Sequence, residues 1–413
     1  MKVALLSTND VTGGAAMVTL RLTRALREAG VDATMVAARR QAPELTEVAP
    51  AGPRPSFLRA FLSERLGIFL RNGLNRADLF KVDTGNRGMP LWRHRAVREA
   101  DVVVVAWVNQ GMLSLRGLER IARRKPVVVV MHDMWWLTGI CHHAGDCRGY
   151  MAQCGDCPLL GRAAGPRDLS HTVWERKKRI YNAIPGLHFV AVSSWLADKC
   201  RESSLLRERQ VTVIPNPFEM PAGPLDKPAP QGRVRILFVA ARLDDPIKGL
   251  PYAIRALNRA EELAPGRFEA VFVGNIRDDA ALGGLKMPFT RHDAMPPERL
   301  RQFYRTASIV ISTSLYETLP TTLVEGQAAG CYPVSFDRGG QCDIITPGQT
   351  GALVPFGDTD AFADAIADAA GRIAADPGLP ARLRASVEAR FSAPAVAERF
   401  TALFRQLRAS LPK

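Results

Sequence analysis

A chain of 413 residues, 47% hydrophobic and 23% charged, holds enough apolar material for two cores of ordinary size, which excludes wholesale disorder. Its net charge of +14 is uneven: residues 1–210 carry 32 Lys/Arg against 19 Asp/Glu, whereas residues 211–413 carry 23 against 22. The basic first half is expected to meet an anion, be it a membrane surface, a phosphorylated acceptor or nucleic acid.

The run Lys2–Ser7 reads as a first strand, too short for a signal-peptide core and followed by no small-residue cleavage site. The longest apolar runs, Val102–Val105 and Val127–Met131, are strand-sized and far below a membrane span. A cytoplasmic protein with mostly reduced cysteines is therefore expected. Further strands are expected at Ala33–Ala37, Phe189–Val192 and Val211–Ile214, and helices at Ala15–Glu28, Met112–Arg123, Thr172–Asn182 and Trp195–Glu202. Strands alternating with helices predict a parallel, doubly wound α/β sheet whose ligands collect at the carboxyl ends of the strands.

Pro215-Asn216-Pro217 and the Pro-rich stretch Pro221–Pro230 interrupt this pattern and read as a linker. A second alternating series follows, with strands at Arg235–Ala240, Glu269–Val273, Ser308–Ser312 and Tyr332–Ser335 and helices at Gly249–Glu262, Pro297–Thr306, Thr321–Ala329 and Thr359–Ala374. The expectation is a first domain over 1–215 and a second over 216–393, facing one another across a cleft. A last helix near 394–411, within the terminal stretch 394–413, would return to the first domain.

Three strand-end segments carry candidate chemistry. Thr12-Gly13-Gly14-Ala15-Ala16 joins the first strand to the first helix, where glycine lets the backbone approach a ligand and a helix N-terminus offers free N–H groups; an ordinary turn would look the same. In Arg242-Leu243-Asp244-Asp245-Pro246-Ile247-Lys248-Gly249, a cation at each end can clamp a diphosphate, or both can be solvated surface charges. In Glu317-Thr318-Leu319-Pro320-Thr321-Thr322-Leu323-Val324-Glu325, one carboxylate lies in a loop and one in the next helix. Each can accept hydrogen bonds from a pair of vicinal hydroxyls.

Arg242…Lys248-Gly249 followed by Glu-x7-Glu, with Gly13-Gly14 at the start, resembles retaining glycosyltransferase family 4 of GT-B fold, over nearly the whole chain. The His132-Asp133-Met134-Trp135 segment trailed by cysteines is similar to the bacterial exopolysaccharide, capsule and colanic-acid transferases. The resemblance implies two Rossmann-like domains, an acceptor-binding first and a donor-binding second. It also implies retaining, metal-independent transfer of a hexose from a nucleotide-sugar donor to a saccharide or lipid-linked acceptor, with no cofactor needed for catalysis. By the same resemblance Arg242 and Lys248 hold the donor diphosphate, and Glu325 holds the ribose. Glu317 and the amides near Thr318 and Leu319 hold the transferred sugar. Gly13 and Gly14 let the first-domain loop approach the donor, and His132 touches the sugar. The chain departs from many relatives at Met17 and at Pro215-Asn216-Pro217, where a basic or aromatic residue and a Pro-Asn-Gly are common.

Cys141, Cys147, Cys154 and Cys157 cluster within one loop beside His142 and His143, and only the last pair has the two-residue spacing typical of zinc ligands. Structural zinc, disulfides and free thiols all remain open; a catalytic zinc is not expected. The basic segment 54–98 has ten Lys/Arg and three Asp/Glu. Inside it Leu58, Phe61, Leu62, Leu66, Phe69 and Leu70 share one helical face. That helix either rests on an anionic membrane, at the inner face of the plasma membrane, or packs on the first sheet. Rival readings are a sugar-nucleotide epimerase, a phosphorylase, or a non-catalytic protein that binds an anion or nucleic acid; against the last, no nucleic-acid motif is recognisable, and no nucleic-acid partner is expected.

Overall fold

The computed structural model describes residues 1–409 except 77, 229 and 231. One position of the basic segment, one of the expected linker and the last two of the helix expected over 394–411 thus lie outside the described residues. The chain divides into two compact units: Met1–Phe218 together with the segment from Ala393 onward, and Glu219–Ser392.

Unit 1 is built from β1 (Lys2–Asn9), α1 (Gly14–Glu28), β2 (Asp32–Arg39), β3 (Val48–Pro50), α2 (Arg54–Arg71), α3 (Arg95–Glu99), β4 (Val102–Val105), α4 (Leu115–Ala122), β5 (Val127–Met131), α5 (Leu169–Ala183), β6 (Leu187–Ala191), α6 (Ser194–Glu202) and β7 (Val211–Val213). Its seven strands are parallel in the order β3-β2-β1-β4-β5-β6-β7. Every residue of β4 (VVVV) and β5 (VVVVM) is buried, as a parallel sheet covered on both faces demands. Polar side chains start the helices: Ser114 accepts from the Gly117 amide at 3.0 Å, and Asp168 from those of Ser170 and His171 at 2.8 and 3.2 Å.

Unit 2 follows with β8 (Val234–Arg242), α7 (Leu250–Leu263), β9 (Phe268–Asn275), β10 (Phe289–His292), α8 (Pro297–Thr306), β11 (Ile309–Ser312), α9 (Thr321–Ala328), β12 (Tyr332–Phe336), β13 (Ala352–Val354), α10 (Thr359–Ala375) and α11 (Leu379–Phe391). Its six parallel strands run β10-β9-β8-β11-β12-β13. The core joins Phe238, Phe272, Ile309 and Phe336 of the sheet to Ala253 and Leu257 of α7 and Phe362 and Ile366 of α10. Both sheets are the doubly wound arrangement expected from the sequence.

The stretch read as a linker divides differently. Asn216–Phe218 stay with unit 1, where Ala393 N donates to Phe218 O at 3.1 Å and the Arg21 guanidinium lies 5.9 Å from the Phe218 ring centre. From Glu219 on the chain is fastened to unit 2: Arg384 donates to Pro221 O and Gly223 O, both at 2.8 Å, and Arg305 pairs with Asp226 at 2.6 Å. The last helix, α12 (Ala393–Ala409), packs on α1 through Val396, Phe400 and Phe404.

Candidate functional site

In unit 2 the strand order turns back between β8 and β11, and ligands of such sheets gather at the carboxyl ends of that pair. The loop after β8 is anchored by the fully buried Leu243, whose amide donates to Asn275 O at 2.8 Å. Gly249 has φ +66°, and a Cβ there would lie 2.1 Å from Thr313 O, so only glycine lets this loop close on the one after β11. The two loops are then joined by Thr313 Oγ1 to the carbonyls of Lys248 (3.1 Å) and Gly249 (3.0 Å), and by Leu315 N to Ile247 O (2.7 Å).

This junction brings Lys248 against Glu317, and the two side chains form an ion pair that remains partly accessible. Glu317 is fixed through its own backbone: Gly340 N donates to Glu317 O at 3.1 Å, and a Cβ on Gly339 would meet that carbonyl at 2.0 Å. Arg242, at the end of β8, pairs with Asp244 at 3.1 Å and is likewise accessible. Glu325 sits on α9, whose Gly326 rests on Val310 so closely that a Cβ would meet it at 2.5 Å. One carboxylate oxygen of Glu325 accepts from the buried Tyr304 hydroxyl at 2.8 Å. Burial and that carboxylate push the Tyr304 phenol well above its usual pKa, which keeps it a donor. Thr318 is half-buried and the Leu319 side chain is buried, so Leu319 has only its main chain to offer a ligand.

In unit 1 the strand order turns back between β1 and β4. Gly13, at φ +90°, caps α1, and a Cβ on Gly13 or Gly14 would meet nothing within 4 Å. The turn is braced by Asp10, which accepts from the amides of Val11, Gln41 and Ala42 at 2.8–3.0 Å. His132 follows β5 and lines a small cavity with Thr19, Ala106, Asn216 and Phe400. Burial, opposed by Asp133, drops its pKa to about 4, so the imidazole is neutral at neutral pH.

Directly behind His132 lies a buried charge network. Asp133 accepts from Trp107 Nε1 at 3.0 Å and from the Trp135 amide at 2.8 Å, and its carboxylate lies 2.7 Å from His142 Nδ1. The other imidazole nitrogen is 3.0 Å from Asp83, which also pairs with Arg65. Burial works against both charges but is outweighed: Asp133 and Asp83 push His142 up to about 10, and His142 with the Trp135 amide holds Asp133 at about 2. Beside it the buried Lys177 donates to the carbonyls of Trp135, Thr138 and Gly139 and lies 3.6 Å from the Trp135 ring centre. Burial pulls Lys177 down to about 7 despite Cys154, Cys141, Asp133 and Asp83 nearby. The sequence marked His142 only as a neighbour of cysteines and passed over Arg65, Asp83 and Lys177, because their partners lie far along the chain.

Cys141, Cys147, Cys154 and Cys157 line one small cavity, and all four are free thiols. Among the described residues no three His, Cys, Asp or Glu side chains are grouped so as to hold a metal ion. The zinc expectation therefore finds no ligand group here. Burial lifts Cys141, Cys154 and Cys157 to about 11, so each is a thiol at neutral pH.

Helix α2 corrects the expected apolar face. Leu58, Leu62, Leu66 and Leu70 are 49–62% exposed, whereas Phe61 and Phe69 turn inward to half-buried positions. The opposite face buries Phe57, Ala60 and Ile68 together with Glu64 and Arg65. Among the described residues no helix is long and apolar enough to cross a membrane.

Two family models match the chain: the one described as Glycosyltransferase Family 4 over residues 12–220, and the one described as Glycosyl transferases group 1 over residues 233–371. A D-inositol 3-phosphate glycosyltransferase of Acidothermus cellulolyticus is 35% identical over 162 residues, 36% of this chain and 35% of that protein. A glycosyl transferase of Escherichia coli, WcaC, provisionally named for colanic acid biosynthesis, is 25% identical over 185 residues, 41% of this chain and 45% of that one. The chain thus spans less than half the length of either relative. Among solved structures, Anabaena Alr3699/HepE in complex with UDP has the same fold, with TM-score 0.60 at 16% identity over 98% of this chain and all of the other.

Proposed function

Because this chain belongs to glycosyltransferase family 4, we propose that it moves a hexose from a nucleotide-sugar donor to a saccharide or lipid-linked saccharide acceptor in cell-surface polysaccharide synthesis, with retention and without a divalent metal. The observation that carries this reading is the junction of the β8 and β11 loops. It sets the accessible Lys248 against the acid Glu317, with the accessible Arg242 paired to Asp244 in the same β8 loop, while the Tyr304 hydroxyl donates to Glu325 on α9. Two cations suit a diphosphate, and their charge stabilises it as it departs.

The reaction follows from these roles. The bond between the anomeric carbon and the donor phosphate oxygen breaks as the acceptor oxygen bonds to the same face of that carbon. The acceptor hydroxyl proton passes to the leaving phosphate oxygen, so no protein base is required. Lys248 exchanges its partner Glu317 for the phosphate, and the freed carboxylate accepts hydrogen bonds from the sugar hydroxyls, as do the amides near Thr318 and Leu319. Glu325 accepts from the ribose. In unit 1, Gly13 and Gly14 are assigned to the approach of the donor diphosphate and sugar, and the neutral His132 to a sugar hydroxyl.

The WcaC relative and the His132-Asp133-Met134-Trp135 segment support the polysaccharide setting. The leucine row of α2 supports a cytoplasmic enzyme held peripherally on the inner face of an anionic membrane. A labelled-donor assay tests the reading: a panel of UDP-, GDP-, ADP- and dTDP-sugars is screened by thermal shift, and the stabilising donor is incubated with acceptor. Label moving to the acceptor with the anomer retained supports it. Label recovered only as an epimerised donor, or transfer undiminished in Lys248→Ala and Glu317→Ala, overturns it.

A further inference from the structure

Unit 1 carries an open groove walled by α2, the segment 84–87, α4 and α5. Arg71, Arg87, Arg116, Arg176 and Arg179 line it, and among the described residues none of these five side chains makes a hydrogen bond or ion pair. The two acids of the groove are outnumbered by its arginines, and the hydrogen bonds they make go to residues of its own walls. Glu64 accepts from Thr84 N (2.9 Å), Thr84 Oγ1 (2.6 Å) and Arg87 N (3.0 Å), and Glu119 pairs with Arg123 at 2.8 Å. Burial, with Arg179 and Arg71 close by, pulls Arg176 below its usual pKa against the opposing effect of Glu64. Such a cluster is stable only because an anion, or the ions of the solvent, neutralise it.

The groove has an apolar shoulder. Leu58, Leu62, Leu66 and Leu70 recur every four residues along one edge of α2, and Leu70 itself enters the groove wall. The row extends about 18 Å along the helix. Leu74 and Phe80, 60% and 58% exposed, follow the helix in the chain. The same helix buries Glu64 and Arg65 at 2% and 5% exposure, so it is turned against the usual sense of an amphipathic helix. A row of exposed leucines beside unneutralised arginines complements an amphiphile with an anionic head. A soluble anion would leave the leucines unused, and a purely apolar partner would leave the arginines unpaired.

We propose that this groove binds the phosphate head of a membrane lipid, through Arg71, Arg87, Arg116, Arg176 and Arg179, while the leucine row of α2 enters the acyl layer. The inference rests on the lipid-linked acceptor of the proposed function and adds the place where the carrier phosphate is gripped. Phosphate oxygens take guanidinium N–H groups in pairs, and five guanidinium groups suffice for a diphosphate or for neighbouring headgroups.

Flotation of the full chain with phosphatidylcholine vesicles, with and without phosphatidic acid, tests it. Wild type is expected to float only with phosphatidic acid, and Arg176→Gln/Arg179→Gln to lower the bound fraction about tenfold or more. Arg87→Gln/Arg116→Gln, on exposed positions of the other wall, should do the same and guards against a folding loss at half-buried Arg176. Leu62→Ser/Leu66→Ser should weaken binding to the vesicles that contain phosphatidic acid. Equal flotation of wild type and both arginine variants overturns the proposal, as does failure of wild type to float. So does a thermal shift by inorganic pyrophosphate that the arginine variants lose while no vesicle binds, which would assign the groove to a soluble anion. A concentration-dependent dimer that hides the leucine row would overturn it too. Sugar transfer is measured alongside: lost flotation with no transfer by wild type leaves the groove standing and sinks the proposed function, and the reverse pattern sinks only the groove.

Discussion

Charges are held in opposite ways at the strand ends of the two units. In unit 2, Arg242–Asp244 and Lys248–Glu317 are accessible pairs, the first within one loop and the second across a loop junction. In unit 1, Arg65, Asp83, His142 and Asp133 form a buried chain whose members come from α2, the strand-end loops and the segment after β5. An accessible pair contributes only about 0–1 kcal/mol and exchanges partners readily. Breaking a buried pair by removing one member costs about 3–5 kcal/mol, because the other charge stays behind in the dry interior. The first arrangement suits groups that must let go of each other when a ligand arrives; the second suits a frame that must not move.

That contrast is broken most severely by Asp83→Ala. It strands Arg65 and leaves His142 with Asp133 alone, and the expected loss is about 3–5 kcal/mol in denaturant unfolding. Lys248→Ala should do the reverse, lowering kcat by about 100- to 1000-fold as a lost charge stabiliser does, with stability changed by about 1 kcal/mol or less. Should Asp83→Ala leave stability intact, or Lys248→Ala unfold the protein, the two regions do not differ in kind.

The buried network also has a pH signature. The folded pKa of His142, about 10, lies above the ordinary value near 6.5, so its stabilisation is complete below about pH 6.5 and is lost as pH rises through 10. Lys177 has the opposite sign in that range. Its folded pKa, about 7, lies below the ordinary value near 10.4, so the unfolded chain binds the extra proton and stability rises with pH. His132 and Asp133, at about 4 and 2, have finished titrating above pH 7. The stability difference between wild type and His142→Gln cancels the lysine and isolates the histidine. It should be largest near pH 7 and shrink toward pH 10; a constant difference would show that His142 carries no proton in the fold.

What the sequence made legible follows the same division. Both GT-B domains could be read because apolar strands such as Val102–Val105 and Val127–Met131 announce a parallel sheet. The edge strands β3 (VAP), β10 (FTRH) and β13 (ALV) went unread because each has a single β-branched residue, whereas the equally short edge strand β7 (VTV) has three. Arg242, Lys248, Glu317 and Glu325 stood out because two contiguous segments carry them. Asp83 and His142 are 59 positions apart, and nothing in either neighbourhood announces the other. The face of α2 was misjudged because apolar spacing says nothing about which side packs. Burial was decided by Glu64 and Arg65, whose partners Thr84, Arg87 and Asp83 belong to a later segment.

The smallest expected effect separates the two glycines at the start of α1. Gly13 sits at φ +90°, so Gly13→Ala should strain the turn and destabilise unit 1 by about 1–3 kcal/mol. Gly14 has helical geometry, and its added Cβ would touch nothing within 4 Å. Gly14→Ala should therefore hold or raise stability by about 0.4–1 kcal/mol. No neighbour within 4 Å requires a glycine at that position, and the proposed function gives it a role in the approach of the donor. The same substitution should then raise the donor KM several-fold while Tm holds or climbs. If the donor KM is unchanged in Gly14→Ala, the turn after β1 does not meet the donor, and the proposed role of that turn fails.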